Sequence, residues 1–281
     1  MQSALEKFSL KGRTAVVTGG GRGLGYNMVR VLAAAGAKVL ICGRTESDLK
    51  QAAETLGREE HADIIHTTVD LANRDSVKQF AEEAEKLLGH IDIFVANAAM
   101  EGGPTLVDSV DQKVEEIIDR LLEANLVANL ILTSRFAIGM KKRGWGRIIY
   151  ISSCGTRVAG DYGHGIYSST KAGLDVYTRS ASVELGPYGI TANCVLPGAY
   201  MTDMLKDRLD ALPPEEAKAR RDSLTSMTSL LRFGNPEELE GIILLLASDA
   251  GSYISGAQIS VDGGYTIKMM PNTQVHNTGA S

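Results

Sequence analysis

Short runs rich in β-branched residues alternate along this chain with longer amphipathic stretches: RTAVVT at 13–18, NMVRVLAAAG at 27–36, KVLIC at 38–42, ESDLKQAAETL at 46–56, DIIHTTV at 63–69, SVKQFAEEAEKLL at 76–88 and IDIFVAN at 91–97. Repeated strand-helix alternation can bury all its apolar faces in one economical way, as a parallel sheet covered by helices on both sides. GRIIYISS (146–153), ITANCVLPG (190–198) and GAQISVDGG (256–264) continue the series as strands, and helical patterns run from Lys113 to Lys142 and from Tyr167 to Leu185. The pattern predicts one α/β domain over residues 1–281, a doubly wound parallel sheet of about seven strands. The 281 residues suffice for one such domain, and no linker divides them.

Two segments break the rhythm. Residues 199–233 form a long excursion with two prolines and a mixed charge run, expected to serve as a substrate-binding loop or lid. Its Met201, Met204, Leu205, Leu209, Leu212, Met227 and Leu230 either line an apolar substrate face or pack the loop onto the core. The polar tail at 266–281 is expected to be mobile or to sit at a subunit interface.

Composition narrows the function. A net charge of −5 and a pI near 5.6 supply no general basic field, which argues against nucleic acid or an anionic membrane as the main partner. The longest apolar runs, such as GIILLLA at 241–247, are too short to span a bilayer, and the N-terminus lacks the apolar core of a secretory signal. A cytoplasmic protein is the expectation. Cys42, Cys154 and Cys194 form no C-x-x-C pair, so neither a disulfide framework nor a metal site is expected.

The stretch TGGGRGLG (18–25) follows the first strand and opens a helix, where free backbone N–H groups and the helix dipole face an anion. It fits neither familiar phosphate-loop pattern. Gly21 and Gly23 begin G-x-G-x-x-G, but the third glycine would fall on Tyr26, and no Gly-Lys-Ser/Thr follows.

The spacing T-G-x-x-x-G-x-G, carried by Thr18, Gly19, Gly23 and Gly25, resembles the cofactor loop of the compact branch of the short-chain dehydrogenase/reductase family. The likeness runs from about Phe8 to Tyr265, through VDL (69–71), ANAA (96–99), EANL around Asn125, ISS ending at Ser153, YSSTK (167–171), LPGAYMTDM (196–204) and VDGG (261–264). It implies a Rossmann-type fold and a dinucleotide held by Thr18, Gly19, Gly21, Arg22, Gly23, Leu24, Gly25, Gly43, Arg44, Asp70, Leu71, Asn97, Ala98, Tyr167, Lys171, Pro197, Gly198 and Thr202. Two departures stand out. Ala96 and Ala99 replace the usual Asn and Gly beside Asn97, and the gap from Ser153 to Tyr167 is one residue longer than in close relatives, which leaves Ser152 as an alternative to Ser153.

Reducing a carbonyl needs a hydride on carbon, a proton on oxygen and stabilisation of the alkoxide between them; a nicotinamide supplies the hydride. Tyr167 and Lys171 are four apart and so share a helix face. A lysine ammonium beside the phenol is expected to lower the tyrosine pKa toward working pH and make it an acid or base. Ser153 would hydrogen-bond the carbonyl oxygen. In the family, the residue matching Asn125 positions a water that relays protons to the lysine. Expected substrate contacts are Ser153, Tyr167, Cys154, Tyr162, Tyr200 and Met204.

The tip of the second strand reads the adenosine ribose, and an acid there selects NAD. Here that position is Gly43, followed by Arg44, with Arg22 on the same side; the set favours the 2′-phosphate of NADP(H), with NAD(H) the alternative. The expectation is therefore an NADP(H)-dependent carbonyl reductase or alcohol dehydrogenase acting on CH–OH donors and small-molecule substrates. The family also contains 3-oxoacyl-thioester reductases and NAD-dependent polyol, sugar-acid and hydroxysteroid dehydrogenases. A non-catalytic dinucleotide sensor is the competing class, disfavoured because Ser153, Tyr167 and Lys171 are all present. Family resemblance further implies a homotetramer built on helices at about 115–142 and 167–185.

Overall fold

The computed structural model describes residues 3–109, 112–159 and 163–268. Seven strands, β1 (Thr14–Thr18), β2 (Lys38–Gly43), β3 (Ile64–Thr68), β4 (Ile93–Ala96), β5 (Gly146–Ile151), β6 (Ile190–Pro197) and β7 (Gln258–Val261), form one parallel sheet in the order β3-β2-β1-β4-β5-β6-β7. Each coincides with one of the apolar runs read from the sequence.

Alternation along the strands builds two cores. Val16 of β1, Leu40 of β2, Phe94 of β4 and Ile148 of β5 face one side. Their neighbours Ala15, Val17, Val39, Ile41, Ile93, Val95 and Ile149 face the other. The first side is covered by α3 (Arg74–Leu88), α5 (Ala128–Arg143) and α6 (Gly165–Leu185), through Phe80, Leu132, Phe136 and Leu174. The second is covered by α1 (Gly23–Ala34), α2 (Glu46–Glu59) and α9 (Glu240–Ala247), through Met28, Leu32, Leu49, Leu56, Ile243 and Leu246. Phe94 meets Phe136 edge to face at 5.2 Å between centroids, a contact worth about 0.5–1.5 kcal/mol beyond its buried area.

Local signals set the helix ends. Asn73 caps α3, its side chain accepting the N–H groups of Asp75 and Ser76 at 3.0 Å each. Gly144 ends α5 in the left-handed region at φ +67°. The long helical pattern read from Lys113 is α4 (Gln112–Leu122) running into α5 through a π turn at Glu123–Val127, a widening that periodicity alone did not disclose.

That run corrects the reading that apolar stretches are too short to cross a bilayer. Lys113–Arg143 is long and apolar enough by length and composition, but half of its most apolar window is buried in the domain. Leu121, Ala124, Ala128, Leu132 and Phe136 supply the buried half. Ile138 on α5 and Val176 and Val183 on α6 are exposed.

The 199–233 excursion contains α7 (Asp203–Asp210) and α8 (Pro214–Ser226). Of its apolar residues Leu209 is buried, whereas Met204, Leu212, Met227 and Leu230 are exposed. The start of the tail is tied down: Lys268 Nζ donates to the carbonyls of Ser226 and Thr228 at 2.6 and 2.8 Å, and Thr266 bonds to Asp262. The rest of the tail, 269–281, lies outside the described residues. Cys42 and Cys194 are buried in strands, and none of the three cysteines is paired.

Candidate active site

The strand order reverses between β1 and β4, because the chain winds outward to β3 on one side and to β7 on the other. Outside the carboxyl ends of those two strands a doubly wound sheet opens a crevice. The loop 18–25 lies on one wall and the segment 97–101 on the other.

Thr18 ends β1 fully buried, and its Oγ1 accepts the N–H groups of Asn97 and Ala98, both at 3.0 Å. Asn97 Nδ2 returns to the Thr18 and Gly19 carbonyls at 2.9 and 3.2 Å. These bonds lock the two walls in register. The glycines are needed where the chain doubles back: Gly23 takes φ +58°, and a Cβ at Gly25 would run into the Gly19 carbonyl. Helix α1 then starts after Arg22 with no capping side chain, so its first N–H groups face the crevice without a side-chain acceptor. Gly21 lies against the start of α2, and half-buried Leu24 packs onto the second core.

Gly43 ends β2 beside β1, and a Cβ there would make only ordinary contact with Leu49, so packing does not demand a glycine. Arg44 and Arg22 are both exposed, and neither guanidinium has a hydrogen bond or an ion pair among the described residues. Asp70 is exposed and accepts the Ala72 N–H at 3.0 Å, whereas Leu71 is buried. At the far wall Pro197 closes β6, and Gly198 packs so tightly that a Cβ would stand 2.7 Å from Asp262 Cα. Thr202 caps α7 through the Leu205 N–H at 3.4 Å, and its methyl lies 3.9 Å from the Cβ position of Gly23.

Together these residues fit a dinucleotide: a crevice kept clear by glycines, an uncapped helix N-terminus for a pyrophosphate, and unpaired guanidiniums beside the tip of β2.

Tyr167 and Lys171 share one face of α6, the lysine Nζ lying 5.9 Å from the tyrosine ring centroid. Lys171 is almost fully buried and donates to the Ile151 carbonyl at 2.6 Å. Burial pulls its pKa down to about 8, against the smaller opposing effects of Cys194 and Asp175. The tyrosine departs from expectation. Its phenol is raised, not lowered, first by burial, then by the Glu101 carboxylate, then by Cys154. Burial of the phenol dominates, and the Lys171 ammonium is directed to the Ile151 carbonyl.

Ser152 turns inward, its N–H on Val195 and its hydroxyl on the Lys171 carbonyl at 3.3 Å. Ser153 is the half-buried neighbour, its Oγ accepting the Gly155 N–H at 3.1 Å. Asn125 sits fully buried in the π turn; its Oδ1 accepts the Met100 N–H at 2.7 Å, and its Nδ2 donates to the Met100 carbonyl at 2.8 Å and to Thr170 Oγ1 at 3.1 Å. Its amide thus pins the wall segment to α6. Thr170, absent from the residues singled out in the sequence, also donates to the Tyr167 carbonyl at 2.7 Å. It stands inside YSSTK one turn after Tyr167, and that spacing was the available signal.

Among the expected substrate contacts, Cys154 follows Ser153 in a short 3-10 turn with its thiol pushed up to about 11 by burial. Met204 is exposed on α7. Tyr200 is corrected: it is buried and its hydroxyl donates to the Val261 carbonyl at 2.9 Å, held there by a bridge to Gly234, so it packs the loop instead of facing a substrate. Tyr162 lies outside the described residues.

The fold and these clusters define a Rossmann-type oxidoreductase. Residues 13–212 match the family model described as short chain dehydrogenase. The chain belongs to the short-chain dehydrogenase/reductase family. It is 34% identical over 258 residues to a 3-oxoacyl-[acyl-carrier-protein] reductase of Aquifex aeolicus, covering 92% of this chain and 99% of that one. It is also 34% identical over 262 residues to an L-rhamnose 1-dehydrogenase (NAD(P)(+)) of Azotobacter vinelandii, covering 92% and 98%. Among solved structures, a 3-oxoacyl (acyl-carrier-protein) reductase of Agrobacterium tumefaciens with NADP bound superposes with a TM-score of 0.85 at 26% identity, covering 94% and 98%.

Proposed function

We propose that the protein is an NADP(H)-dependent oxidoreductase that interconverts a ketone or aldehyde and an alcohol. The carrying observation is the pairing of Tyr167 with the buried Lys171 on one face of α6, together with a glycine-lined, uncapped helix N-terminus at the strand-order reversal. When bound, the nicotinamide supplies the hydride.

The residues divide the remaining work. Ser153 orients the carbonyl oxygen toward the phenol. Tyr167, its pKa raised, stands protonated at neutral pH and donates its proton to the oxygen as negative charge develops there. Lys171 stabilises the phenolate left behind, and its buried ammonium is retained below about pH 8. Asn125 supports this arrangement by pinning Met100 and Thr170, and with them the segment that faces the tyrosine. The raised pKa keeps the phenol in the protonated form that reduction requires.

The preference for NADP(H) rests on Gly43 in place of an acid and on the unpaired Arg22 and Arg44, which would pair with a 2′-phosphate. It agrees with NADP in the Agrobacterium relative. Michaelis constants for the two reduced cofactors, measured with a panel of ketones, aldehydes and oxoacyl thioesters, test it: NADPH should bind at least about tenfold more tightly, a difference of about 1.4 kcal/mol. A clear NADH preference would refute it. A sugar-dehydrogenase reading is supported by the Azotobacter relative; oxidation of free aldoses in the same assay would favour it. A homotetramer is part of the proposal, supported by the exposed Ile138, Val176 and Val183 on α5 and α6; a monomeric mass in sedimentation equilibrium would remove it.

A further inference from the structure

The segment 199–233 approaches the loops after β1 and β4 at the two ends of its first helix, and is ion-paired to the second of them. At the N-terminal end of α7, the Thr202 methyl lies 3.9 Å from the Cβ position of Gly23 in the loop after β1. At the C-terminal end, Arg208 Nη2 meets Glu101 Oε2 at 2.7 Å, across 107 residues of sequence, on the loop after β4. β1 and β4 are the two strands that flank the crevice. Helix α7 therefore has one end near the loop after β1 and the other ion-paired to the loop after β4.

The Glu101 end is rigidly founded. Glu101 follows Met100, whose N–H and carbonyl are both bonded by the Asn125 amide. Asn125 continues to Thr170, and Thr170 to the carbonyl of Tyr167. One hydrogen-bonded chain thus runs from Arg208 on α7 to the backbone of the proposed proton donor.

We propose that the Glu101–Arg208 pair is a latch that holds α7 closed over the crevice, making both residues positioning residues for carbonyl reduction. The inference rests on the assignment of Tyr167 as the acid and goes beyond it. The groups facing the phenol are Glu101 from the β4 loop, Cys154 from the turn after β5, and Lys171 and His164 from its own helix, the His164 ring 6.4 Å away. Glu101 is the carboxylate among them, and its partner Arg208 is carried by a different element, α7. Closure would therefore also moderate the repulsion that Glu101 exerts on a forming phenolate.

The pair is partly exposed, with 57% and 35% of the two side chains accessible, so its effect on binding should be modest, about two- to fivefold. The test compares Glu101→Gln, Arg208→Gln and the charge swap Glu101→Arg/Arg208→Glu with the parent enzyme, each first shown to melt normally. In NADPH-dependent reduction both single variants should raise KM for the carbonyl substrate about two- to fivefold with little change in kcat, and the swap should bring KM back. High salt should raise the parent's KM toward that of the variants.

The pH profile of the reverse reaction, alcohol oxidation, separates a latch from a passive surface contact. Removing the Glu101 charge lowers the phenol pKa, so Glu101→Gln should shift the rising limb to lower pH. Removing Arg208 leaves Glu101 unneutralised, so Arg208→Gln should shift it to higher pH. Shifts in the same direction, or no change in KM and pH profile together, would overturn the latch. Those outcomes with an inactive Tyr167→Phe variant would leave the proton-donor assignment standing, whereas an active Tyr167→Phe would bring down that assignment instead.

Discussion

In the proposed mechanism Lys171 sets the pH dependence of reduction. Its ammonium is held near pKa 8 because burial disfavours the charged form, and in reduction it must be charged to stabilise the phenolate that Tyr167 leaves. Reduction should therefore run at full rate below about pH 8 and fall as pH rises through that value, while the raised tyrosine stays protonated throughout. A profile of kcat/KM for NADPH-dependent reduction checks this; a rate that climbs between about pH 7 and pH 9 would contradict it. The spacing of Tyr167 and Lys171 was legible in the sequence because a helix returns to the same face after four residues. The direction of the tyrosine shift was not, since it turns first on burial of the phenol and then on a carboxylate 66 residues earlier in the chain. Tyr200 escaped for a similar reason: whether a loop tyrosine faces a substrate or the core depends on a bridge to Gly234, which no local pattern announces.

The seven strands were readable because buried parallel strands leave dense β-branched runs, and the chain places one between each pair of helices. The helix from Gln112 to Arg143 was readable in extent but not in form. Its π turn arises where Asn125 reaches out to Met100 and Thr170, contacts made by other segments. The excursion read equally as a lid or as a solvated helical pair; it is the two helices α7 and α8, and α8 buries none of its residues. The glycine turn is the element whose sequence and geometry agree most closely. Gly25→Ala would force a methyl against the Gly19 carbonyl and push the turn open, costing about 1–3 kcal/mol and weakening NADPH binding at least about tenfold. Gly241→Ala on α9, where a Cβ meets nothing within 4 Å, should leave binding unchanged. Fluorescence titration with NADPH reads both; equal affinity for the two variants would refute the turn as the pyrophosphate cradle.

At the scale of the whole molecule, the sheet order sets the site. Reversal between β1 and β4 brings the loop at 18–25 opposite the segment at 97–101, and β5 and α6 deliver Ser153, Tyr167 and Lys171 to the same lip. Residues spread over more than half of the chain thereby converge on the region that the ordered motifs marked out as the candidate site. The identity of the substrate was less accessible, because it depends on the surface that α7 and α8 present, and the relatives at 34% identity act, by their names, on an acyl-carrier thioester in one case and a free sugar in another. The central claim is that this crevice reduces a carbonyl with Tyr167 as proton donor. Its most direct test is NADPH consumption by the parent protein and by Tyr167→Phe on whichever carbonyl the panel finds to be turned over. The variant should bind NADPH as tightly as the parent and lose about two to four orders of magnitude in kcat; turnover within about tenfold of the parent would contradict the claim.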